Sequence, residues 1–288
     1  MCRFVLYLGK PIHLSSLITE PENSLIHQSF DSREREEPLN GDGFGVAWYP
    51  PDGHRNAALF RSITPAWSNQ NLRHLAQAVR SSCVLAHVRA ASSGIAVSEA
   101  NTHPFVAGPY SFVHNGEVAE FRRHRRALLG LLDDERYRSI EGTTDSECLF
   151  SHALQHLASR NSGGAETLAD ALERAIAAVM AQLDAAGVQS PTLINAVLSN
   201  GREAAACRYS SVAAVPPASL HLHTGRLYSL QSGRPRLIEA DEDEHAVILA
   251  SEPLTQDSSW RVVPAGSMVL IDARRTAAIR PMALGRAD

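Results

Sequence analysis

The chain has 288 residues, of which 44% are hydrophobic and 20% charged, a composition typical of a folded globular protein with a large core. Its net charge of −4 at pH 7 gives no field that would attract nucleic acid. No run approaches the ~20 apolar residues of a membrane span, and no signal-peptide core follows Met1. We therefore expect a cytoplasmic protein that has neither nucleic acid nor a membrane as a partner.

The four cysteines of the chain are widely scattered. They are Cys2, Cys83, Cys148 and Cys207, and no two of them have Cys-x-x-Cys spacing. Scattered thiols in apolar surroundings are typical of reduced, packed side chains and argue against a disulfide framework or a structural zinc site. We expect neither a metal nor a cofactor.

The first half of the chain is rich in predicted strands. Short apolar or alternating runs cover Arg3 to Leu8, Phe44 to Tyr49, Ala58 to Arg61, Val84 to Arg89 and Tyr110 to His114. Between the third and fourth runs, apolar residues recur with helical spacing and predict an amphipathic helix. These residues are Leu72, Leu75, Ala76 and Val79.

One segment, Arg122 to Arg126, is strongly basic. On a helix its arginines would face water while apolar neighbours face the core, so a solvated helix face is the favoured interpretation. Contact with a partner or an anionic substrate is the alternative. The apolar neighbours are Phe121, Leu128, Leu129 and Leu132. The acidic run Asp241 to Glu244 is most simply a solvated loop.

The middle of the chain is predicted to be helical, because it carries two apolar stripes. The first stripe is Phe150, Ala153, Leu154 and Leu157, and the second is Leu168, Leu172, Ala175, Ile176, Val179 and Leu183. Thr167 and Asp170 indicate the start of the second helix. Asn161 to Gly164 would form the turn between the two helices.

Strands return after Pro191. Leu193 to Leu198 and Ala204 to Tyr209 flank Asn200-Gly201, a strong hairpin signal, and Thr224-Gly225 predicts a second hairpin. The remaining predicted strands are Ala246 to Ala250, Met268 to Asp272 and Ala277 to Arg280. Because no linker, repeat or low-complexity tract divides the chain, we expect one α+β domain over residues 1–288, with two sheets and helices packed outside them.

Cys2 would become the N-terminal residue if Met1 were removed. A thiol and a free α-amine on one residue can serve as nucleophile and general base, since an α-amine titrates near pH ~7.7 to 8.0. The alternative is a small apolar residue that begins a buried strand.

The segment Asn40 to Trp48 has glycines at Gly41, Gly43 and Gly45 and leads into a predicted strand. Glycines at alternate positions let the backbone approach a ligand or the N-terminal strand closely, but taken alone the segment is more simply a tight turn. The segment is not a phosphate loop, because no Lys-Ser/Thr follows it.

Arg89 and His87 end another apolar run. An arginine at a strand end can bind a carboxylate through two parallel hydrogen bonds, as recognition of an amino-acid substrate would require. A structural ion pair is an equal alternative for Arg89. His87 is interpreted as a packed histidine rather than as a catalytic base.

Asn115-Gly116 follows the predicted strand that ends at His114. A type I′ hairpin would explain the pair, but a charged helical segment follows it instead of a partner strand. An amide side chain together with a glycine N–H could stabilise an oxyanion, and this interpretation is favoured.

Thr144 to Glu147 has the pattern of a capping box, with Thr144 as N-cap and Glu147 at the third helical position. Asp145 could simply favour the helix dipole, or its carboxylate could bind a substrate ammonium. The pattern does not separate these roles.

Together these segments resemble the class II glutamine amidotransferase family, whose members are N-terminal-nucleophile hydrolases. The matching segments, in chain order, are Met1 to Phe4, Asn40 to Gly45, His87 to Arg89, Asn101 to Phe105, His114 to Gly116 and Thr144 to Glu147. The resemblance extends to the stand-alone branch of YafJ-like proteins, ergothioneine-pathway γ-glutamyl hydrolases and the amidotransferase-like subunit of a glutathione-degrading complex. Similarity to that branch also lies in Ser24 to Phe30, Ser32-Arg33, Ser251 to Leu254 and Trp260. The resemblance covers essentially the whole chain and implies a four-layer αββα sandwich of the N-terminal-nucleophile hydrolase type.

The resemblance also implies a catalytic set. Cys2 would attack the γ-carbonyl of the substrate while its own α-amine carries the proton. Asn115 and Gly116 would form the oxyanion hole. An acyl-enzyme would form, release its amine and be hydrolysed to glutamate.

Substrate-binding residues follow from the same resemblance. Arg89 would bind the substrate α-carboxylate and Asp145 its α-ammonium, while His87 and Gly41 are further candidates for substrate contact. Larger family members commonly have an arginine where this chain has Asn40, so Asn40 is not given that arginine's role.

The implied activity is hydrolysis of a γ-glutamyl amide in a small peptide or thiol conjugate, since no synthetase or transferase domain follows to consume ammonia. The alternative is a glutaminase subunit that supplies ammonia to a separate partner. A third hypothesis is a non-catalytic ligand-sensing module. Homo-oligomerisation and a partner subunit are both left open.

Overall fold

The computed structural model describes residues 2–34, 39–51, 54–91, 94–158, 164–229, 235–238 and 245–284. Asn161 to Gly163 and Asp241 to Glu244, predicted as a turn and a solvated loop, lie outside the described residues.

The strands alternate with seven α-helices in the part of the chain that is described. The strands are β1 (Arg3–His13), β2 (Phe44–Trp48), β3 (Ala58–Ser62), β4 (Arg80–Val88), β5 (Phe105–Ala107), β6 (Tyr110–Glu117), β7 (Leu193–Ser199), β8 (Ala204–Ser210), β9 (His221–Ser229), β10 (Pro235–Ile238), β11 (Ala246–Ala250), β12 (Arg261–Val262), β13 (Ser267–Ile271) and β14 (Ala277–Pro281). The helices are α1 (Ser15–Ile18), α2 (Leu25–Phe30), α3 (Gln70–Ala78), α4 (Phe121–Leu129), α5 (Asp134–Arg138), α6 (Asp145–Ala158) and α7 (Ala165–Ala185).

The strands form two antiparallel sheets. The first has the order β10-β9-β11-β1-β4-β2-β3, with β12 paired to β9, and the second has the order β14-β13-β8-β7-β6-β5. The N-terminal strand β1 thus lies inside the first sheet, between β11 and β4. Its register with β4 pairs Arg3 with Val88 and Phe4 with His87.

The two sheets pack face to face over a shared core. Phe4 and Leu6 of β1 contribute to this core from one side, and Val113 of β6 and Val197 of β7 contribute from the other. Because side chains alternate along a strand, the intervening residue Val5 faces the opposite side of the first sheet.

Helices cover both outer faces. Leu17 of α1 and Leu72 of α3 pack on the outer face of the first sheet. On the second sheet, Leu149 of α6 and Leu172 of α7 pack against Phe112 of β6. The result is the four-layer αββα sandwich that the resemblance implies.

Most predicted elements are confirmed, including the basic helix α4. Its apolar residues Phe121, Leu128 and Leu129 are buried, and Leu132 is packed against the same core. Arg122, Arg123 and Arg126 are exposed, as a solvated helix face requires.

Three local predictions are wrong. Thr224-Gly225 is not a turn, because Thr224 pairs with Val247 and Gly225 with Ala246 inside β9. Helix α7 begins at Ala165 with Gly164 as its N-cap, so Thr167 lies inside the helix. Strand β6 continues to Glu117 rather than ending at His114. In the two strands, pairing with a partner distant in sequence overrides the local signal.

Helix α7, with 21 residues, is long enough to reach across a membrane, but neither it nor any other described helix combines such length with enough apolar character to do so.

We expect Phe112→Ala to lower the free energy of unfolding by roughly 3 to 5 kcal/mol, since it removes a fully buried ring and leaves a cavity. The Phe112 ring stacks on Phe150 with 5.2 Å between centroids. Denaturant unfolding measures the loss. The matched control is Phe30→Ala, because Phe30 is 43% exposed, and it should cost less than about 1 kcal/mol. Equal losses in the two variants would contradict the assigned core.

Candidate active site

The proposed nucleophile lies where the start of β1 meets the end of β4. The backbone N–H of Ala90 donates to Cys2 Sγ at 3.4 Å, and Sγ lies 3.5 Å from Ala90 O. By alternation, Cys2 is on the same side of β1 as Phe4, which faces the second sheet. An N–H that points at sulfur stabilises a thiolate.

Cys2 differs from the other three cysteines in exposure. Cys2 is half-buried, whereas Cys83, Cys148 and Cys207 are buried. Burial raises the pKa of each of these three thiols to about 12. They stay protonated at neutral pH, so Cys2 is the accessible thiol.

The glycine-rich segment holds the backbone beside Cys2. Arg89 N donates to Gly43 O at 2.8 Å, and Asp42 N donates to Arg89 O at 2.9 Å. The Asp42 carboxylate in turn accepts from Ala91 N at 2.8 Å. Gly43 has a φ of +117°, and a Cβ there would lie 2.7 Å from Ser62 O, so only glycine fits.

Gly41 and Asn40 have structural explanations of their own. A Cβ on Gly41 would lie 2.9 Å from Cη2 of Trp67. The Asn40 amide donates to Gln28 O and to Ser32 Oγ, at 2.9 Å in each case. Asn40 therefore holds the chain that follows α2, and its amide does not take the role of the arginine that larger family members have there.

Arg89 is a nearly buried cation. The residue is 4% exposed. Its Nη1 has no hydrogen-bond partner among the described residues, and its Nη2 makes only a 3.5 Å contact with Ala96 O. Burial lowers the pKa of Arg89, and the charges of Cys2 and Asp42 oppose this shift. Since no described carboxylate forms an ion pair with Arg89, the structural ion-pair alternative is wrong for the described chain. The guanidinium can accept an anionic ligand.

Asn115 lies inside β6, opposite Asn195 of β7, so the hairpin alternative is wrong. It is on the same face of β6 as Val113 and points between the sheets. The residue is 2% exposed, yet neither Nδ2 nor Oδ1 has a partner in the described parts of the chain. An unpaired buried amide costs free energy, as expected of a group that binds a ligand.

Gly116 lies next to this amide, opposite Ile194. A Cβ on Gly116 would lie 1.9 Å from Leu193 O and 2.7 Å from His114 Nε2. Close packing against β7 therefore explains why the residue is glycine, independently of any role for its N–H group.

Asp145 connects the start of α6 to the end of β6. One carboxylate oxygen accepts from Val118 N and the other from Ser146 N, at 2.8 Å in each case. Ser146 Oγ also donates to Oδ1 at 3.2 Å. A carboxylate has about four lone-pair sites, so these three bonds leave capacity for one further donor, such as an ammonium ligand. The rigid carboxylate predicted at this helix start is present.

The capping box is half correct. Thr144 Oγ1 accepts from Glu147 N at 3.2 Å, as an N-cap should. The Glu147 carboxylate, however, accepts from Glu141 N at 2.8 Å and Gly142 N at 2.7 Å instead of reaching back to Thr144. Glu147 therefore holds the loop before α6.

His87 is fully buried and packs against His103, with 4.4 Å between ring centroids and the ring planes tilted by 34°. No ring nitrogen of either histidine has a partner among the residues described. Burial, with smaller contributions from Arg89 and His114, lowers the pKa of His87 to about 3. His87 is therefore neutral at physiological pH, and its proposed contact with substrate stays a prediction.

Comparison with known proteins identifies the family. The sequence model described as class-II glutamine amidotransferases matches residues 15–283. The chain belongs to this family. Because the matched range begins after Cys2, the assignment of the nucleophile depends on the geometry described above.

Two curated proteins are similar to this family member over nearly its whole length. It is 39% identical to the probable glutamine amidotransferase DUG3 of Saccharomyces cerevisiae, over 98% of this chain and 84% of the yeast protein. It is 29% identical to a γ-glutamyl-hercynylcysteine sulfoxide hydrolase of Mycolicibacterium smegmatis, over 95% of this chain and 96% of that protein.

A solved structure agrees with the fold of this class II amidotransferase. It is that of a glutamine aminotransferase class-II domain protein from Silicibacter pomeroyi, with a TM-score of 0.67 and 29% identity. The alignment covers 98% of this chain and 100% of the other. Family and relatives together make the protein an amidohydrolase.

Two acidic residues near Cys2 in this amidotransferase were not among the site residues predicted from the sequence. Asp42 was treated only as part of a glycine-rich segment, although its carboxylate holds Ala91. Glu252 was noted only for its resemblance to one branch, yet its side chain is buried against Arg3. An acid between two glycines is a usable signal for Asp42, whereas nothing local marks Glu252.

The low pKa of His87 predicts a pH dependence of stability. Its pKa is about 3 in the folded protein and ~6.5 when unfolded, so the unfolded state binds more protons between these values. The free energy of unfolding should therefore fall as pH decreases from 6.5, by up to ~1.4 kcal/mol per pH unit for this group. His87→Phe should reduce the slope of the free energy of unfolding against pH, measured by denaturant unfolding between about pH 4.5 and 6.5.

The matched control is His13→Phe, since His13 is exposed. This variant should keep the wild-type slope. An unchanged slope in His87→Phe would contradict the assignment of a buried, neutral histidine.

Proposed function

We propose that this protein hydrolyses the γ-glutamyl amide bond of a small peptide or thiol conjugate through an acyl-enzyme on Cys2, releasing glutamate. One observation carries the proposal. The accessible thiol of Cys2 lies beside the buried Arg89 cation, which no described carboxylate neutralises. The Asn115 amide, without a partner among the described residues, points into the same space between the sheets.

Cys2 Sγ would attack the γ-carbonyl carbon of the substrate. After removal of Met1, the α-amine of Cys2 would take the thiol proton and pass it to the departing amine. A water molecule would then hydrolyse the thioester, giving glutamate and the free thiol. The Ala90 N–H that points at Sγ supports this role, because it stabilises the sulfur as a thiolate.

Negative charge on the carbonyl oxygen would be stabilised by Asn115 Nδ2 and the N–H of Gly116. The unpaired state of the buried amide supports this role for Asn115. A donor that has no other partner is already available when the oxyanion forms, so no existing hydrogen bond must break first.

Two opposite charges would orient the amino-acid end of the substrate. Arg89 would bind the α-carboxylate through two parallel hydrogen bonds, and Asp145 would bind the α-ammonium. Both side chains are nearly buried, so each interaction would form in a medium of low dielectric. His87 and Gly41 stay proposed substrate contacts without a specific role.

The names of the two relatives favour different leaving groups on the γ-glutamyl amide. The mycobacterial relative is named as a γ-glutamyl hydrolase and aligns over nearly its full length, which favours hydrolysis of a γ-glutamyl conjugate. The yeast relative is named a probable glutamine amidotransferase, which favours the second candidate, a glutaminase that supplies ammonia to a partner. Organisation as one domain, a cytoplasmic location and any oligomer or partner subunit also stay proposals.

A substrate panel tests the function. We expect turnover of γ-glutamyl peptides or thiol conjugates to exceed turnover of glutamine, and Cys2→Ala to lower kcat by on the order of 10⁴-fold or more. Released glutamate is the measurement. A preference for glutamine that rises when a partner protein is added would favour the second candidate.

Labelling by a glutamine-analogue electrophile is the control for the nucleophile. Wild-type protein should be alkylated once, and Cys2→Ala should not be labelled, because its three other cysteines remain buried. Intact mass should give a chain without Met1 in active protein. Active protein that retains Met1 would contradict the assignment of the α-amine as base.

Arg89→Lys should raise KM for the γ-glutamyl substrate by about 10-fold or more, because a lysine cannot form two parallel hydrogen bonds with the α-carboxylate. Steady-state kinetics measure the change. The matched control is Arg174→Lys, an exposed arginine on α7 paired with Asp170, which should keep the wild-type KM. The same KM in Arg89→Lys as in wild type would exclude the carboxylate contact.

A further inference from the structure

A buried ion pair adjoins Cys2. Arg3 Nε lies 2.6 Å from Glu252 Oε1, and each side chain is 1% exposed. The two residues are 249 positions apart in the sequence and meet because β11 pairs with β1. No role is assigned to this pair by the catalytic set proposed above.

The Glu252 carboxylate holds the backbone of Arg33 and Glu34 as well as the Arg3 side chain. Oε1 also accepts from Glu34 N at 3.2 Å, while Oε2 accepts from Arg33 N at 3.0 Å and from Asn23 Nδ2 at 3.3 Å. Four donors therefore surround one carboxylate that has no access to water. Such a carboxylate is fixed in position and orientation.

The Arg3 guanidinium connects the fixed Glu252 carboxylate to the backbone of Cys2. Its Nη1 donates to Cys2 O at 3.0 Å, and its Nη2 donates to Glu34 O at 3.2 Å. The carbonyl of Cys2 is thereby tied to Glu252 through a planar group with little freedom of its own. The orientation of that carbonyl determines where the rest of the Cys2 residue, including Sγ, projects.

The residue before Glu252 holds the next peptide unit. Phe4 N donates to Ser251 Oγ at 3.1 Å, and Ser251 N donates to Phe4 O at 3.0 Å. Arg3 and Phe4 lie on opposite faces of β1, so Ser251 and Glu252 restrain residues 2–4 from both sides.

Stability alone does not account for a charged pair at this place. Removing two charges from water costs several kcal/mol per ion, and apolar residues of similar volume often stabilise a protein as well or better. What an ion pair adds is direction, because its hydrogen bonds fix angles as well as distances. At this position the ion pair fixes the orientation of the Cys2 carbonyl.

We propose that Glu252, acting through Arg3, is a positioning residue that sets the orientation of Cys2 for attack on the substrate carbonyl. The inference deepens the proposed function and rests on it. Displacing a reacting atom by about 1 Å can lower the rate of the chemical step by about 100-fold without weakening substrate binding.

Glu252→Gln tests the role, because it keeps the shape of the side chain but removes the charge and places an NH2 group among donors. We expect kcat to fall by about 10- to 100-fold while KM stays within about twofold, measured on the purified full chain with the γ-glutamyl substrate that it turns over.

The matched control is Glu173→Gln. Glu173 is also buried and accepts from Arg280 Nη1 at 2.7 Å and Nη2 at 2.9 Å, but it is on α7 in the outer layer. Both variants should lower the thermal unfolding midpoint, whereas only Glu252→Gln should lower kcat. A wild-type kcat in Glu252→Gln, or an equal loss in Glu173→Gln, would overturn the proposal.

Arg3→Lys provides the test if Glu252→Gln does not fold. A lysine can pair with Glu252 but cannot also hold Cys2 O and Glu34 O in one plane, so kcat should fall while KM stays within about twofold. Full activity in Arg3→Lys would likewise exclude the positioning role. Turnover retained in Cys2→Ala would instead refute the proposed function itself, so the two failures are distinguishable.

Discussion

The antiparallel pairing of β1 with β4 is the constraint on which the site depends. Antiparallel strands bring the start of one to the end of the other, so Cys2 must meet Arg89 and Ala90. The pairing of β2 with the other side of β4 then brings the glycine-rich segment to the same place, where Asp42 and Gly43 bind the backbone of Arg89. Strand register thus brings together the proposed nucleophile, a cation and an N–H that points at the sulfur.

Alternate residues of a β-strand face opposite sides of the sheet, and this separates the proposed catalytic side chains from those that hold them in place. On β1, Phe4 faces the second sheet and Arg3 faces the opposite side, which separates the reacting thiol from the ion pair that holds its carbonyl. On β6, the same period points Asn115 between the sheets, while His114 points toward α6 and contacts Ser146 Oγ at 2.9 Å. Chemistry and support are therefore on opposite faces of the same strands.

Local patterns in the sequence were sufficient for most of the strands and helices, because apolar periodicity reports which face is buried. They failed at Thr224-Gly225 and beyond His114, where a strand continues because a partner distant in sequence pairs with it. The identity of Cys2, Arg89 and Asn115 as candidates came from residue types and family resemblance. Contacts such as the one between Arg3 and Glu252 join residues 249 positions apart, and no local pattern encodes them.

The unpaired polar groups of this protein differ in what their burial costs. His87 and His103 are neutral when buried, so leaving their ring nitrogens without partners in the described chain is tolerable. Arg89 has a formal charge, and a buried charge without a counter-ion is far more costly. A bound α-carboxylate would offset that cost, which is the physical basis of the contact proposed for Arg89. Burial of the charged group, rather than of the histidine pair, is therefore the stronger support for the proposed binding of an anionic ligand.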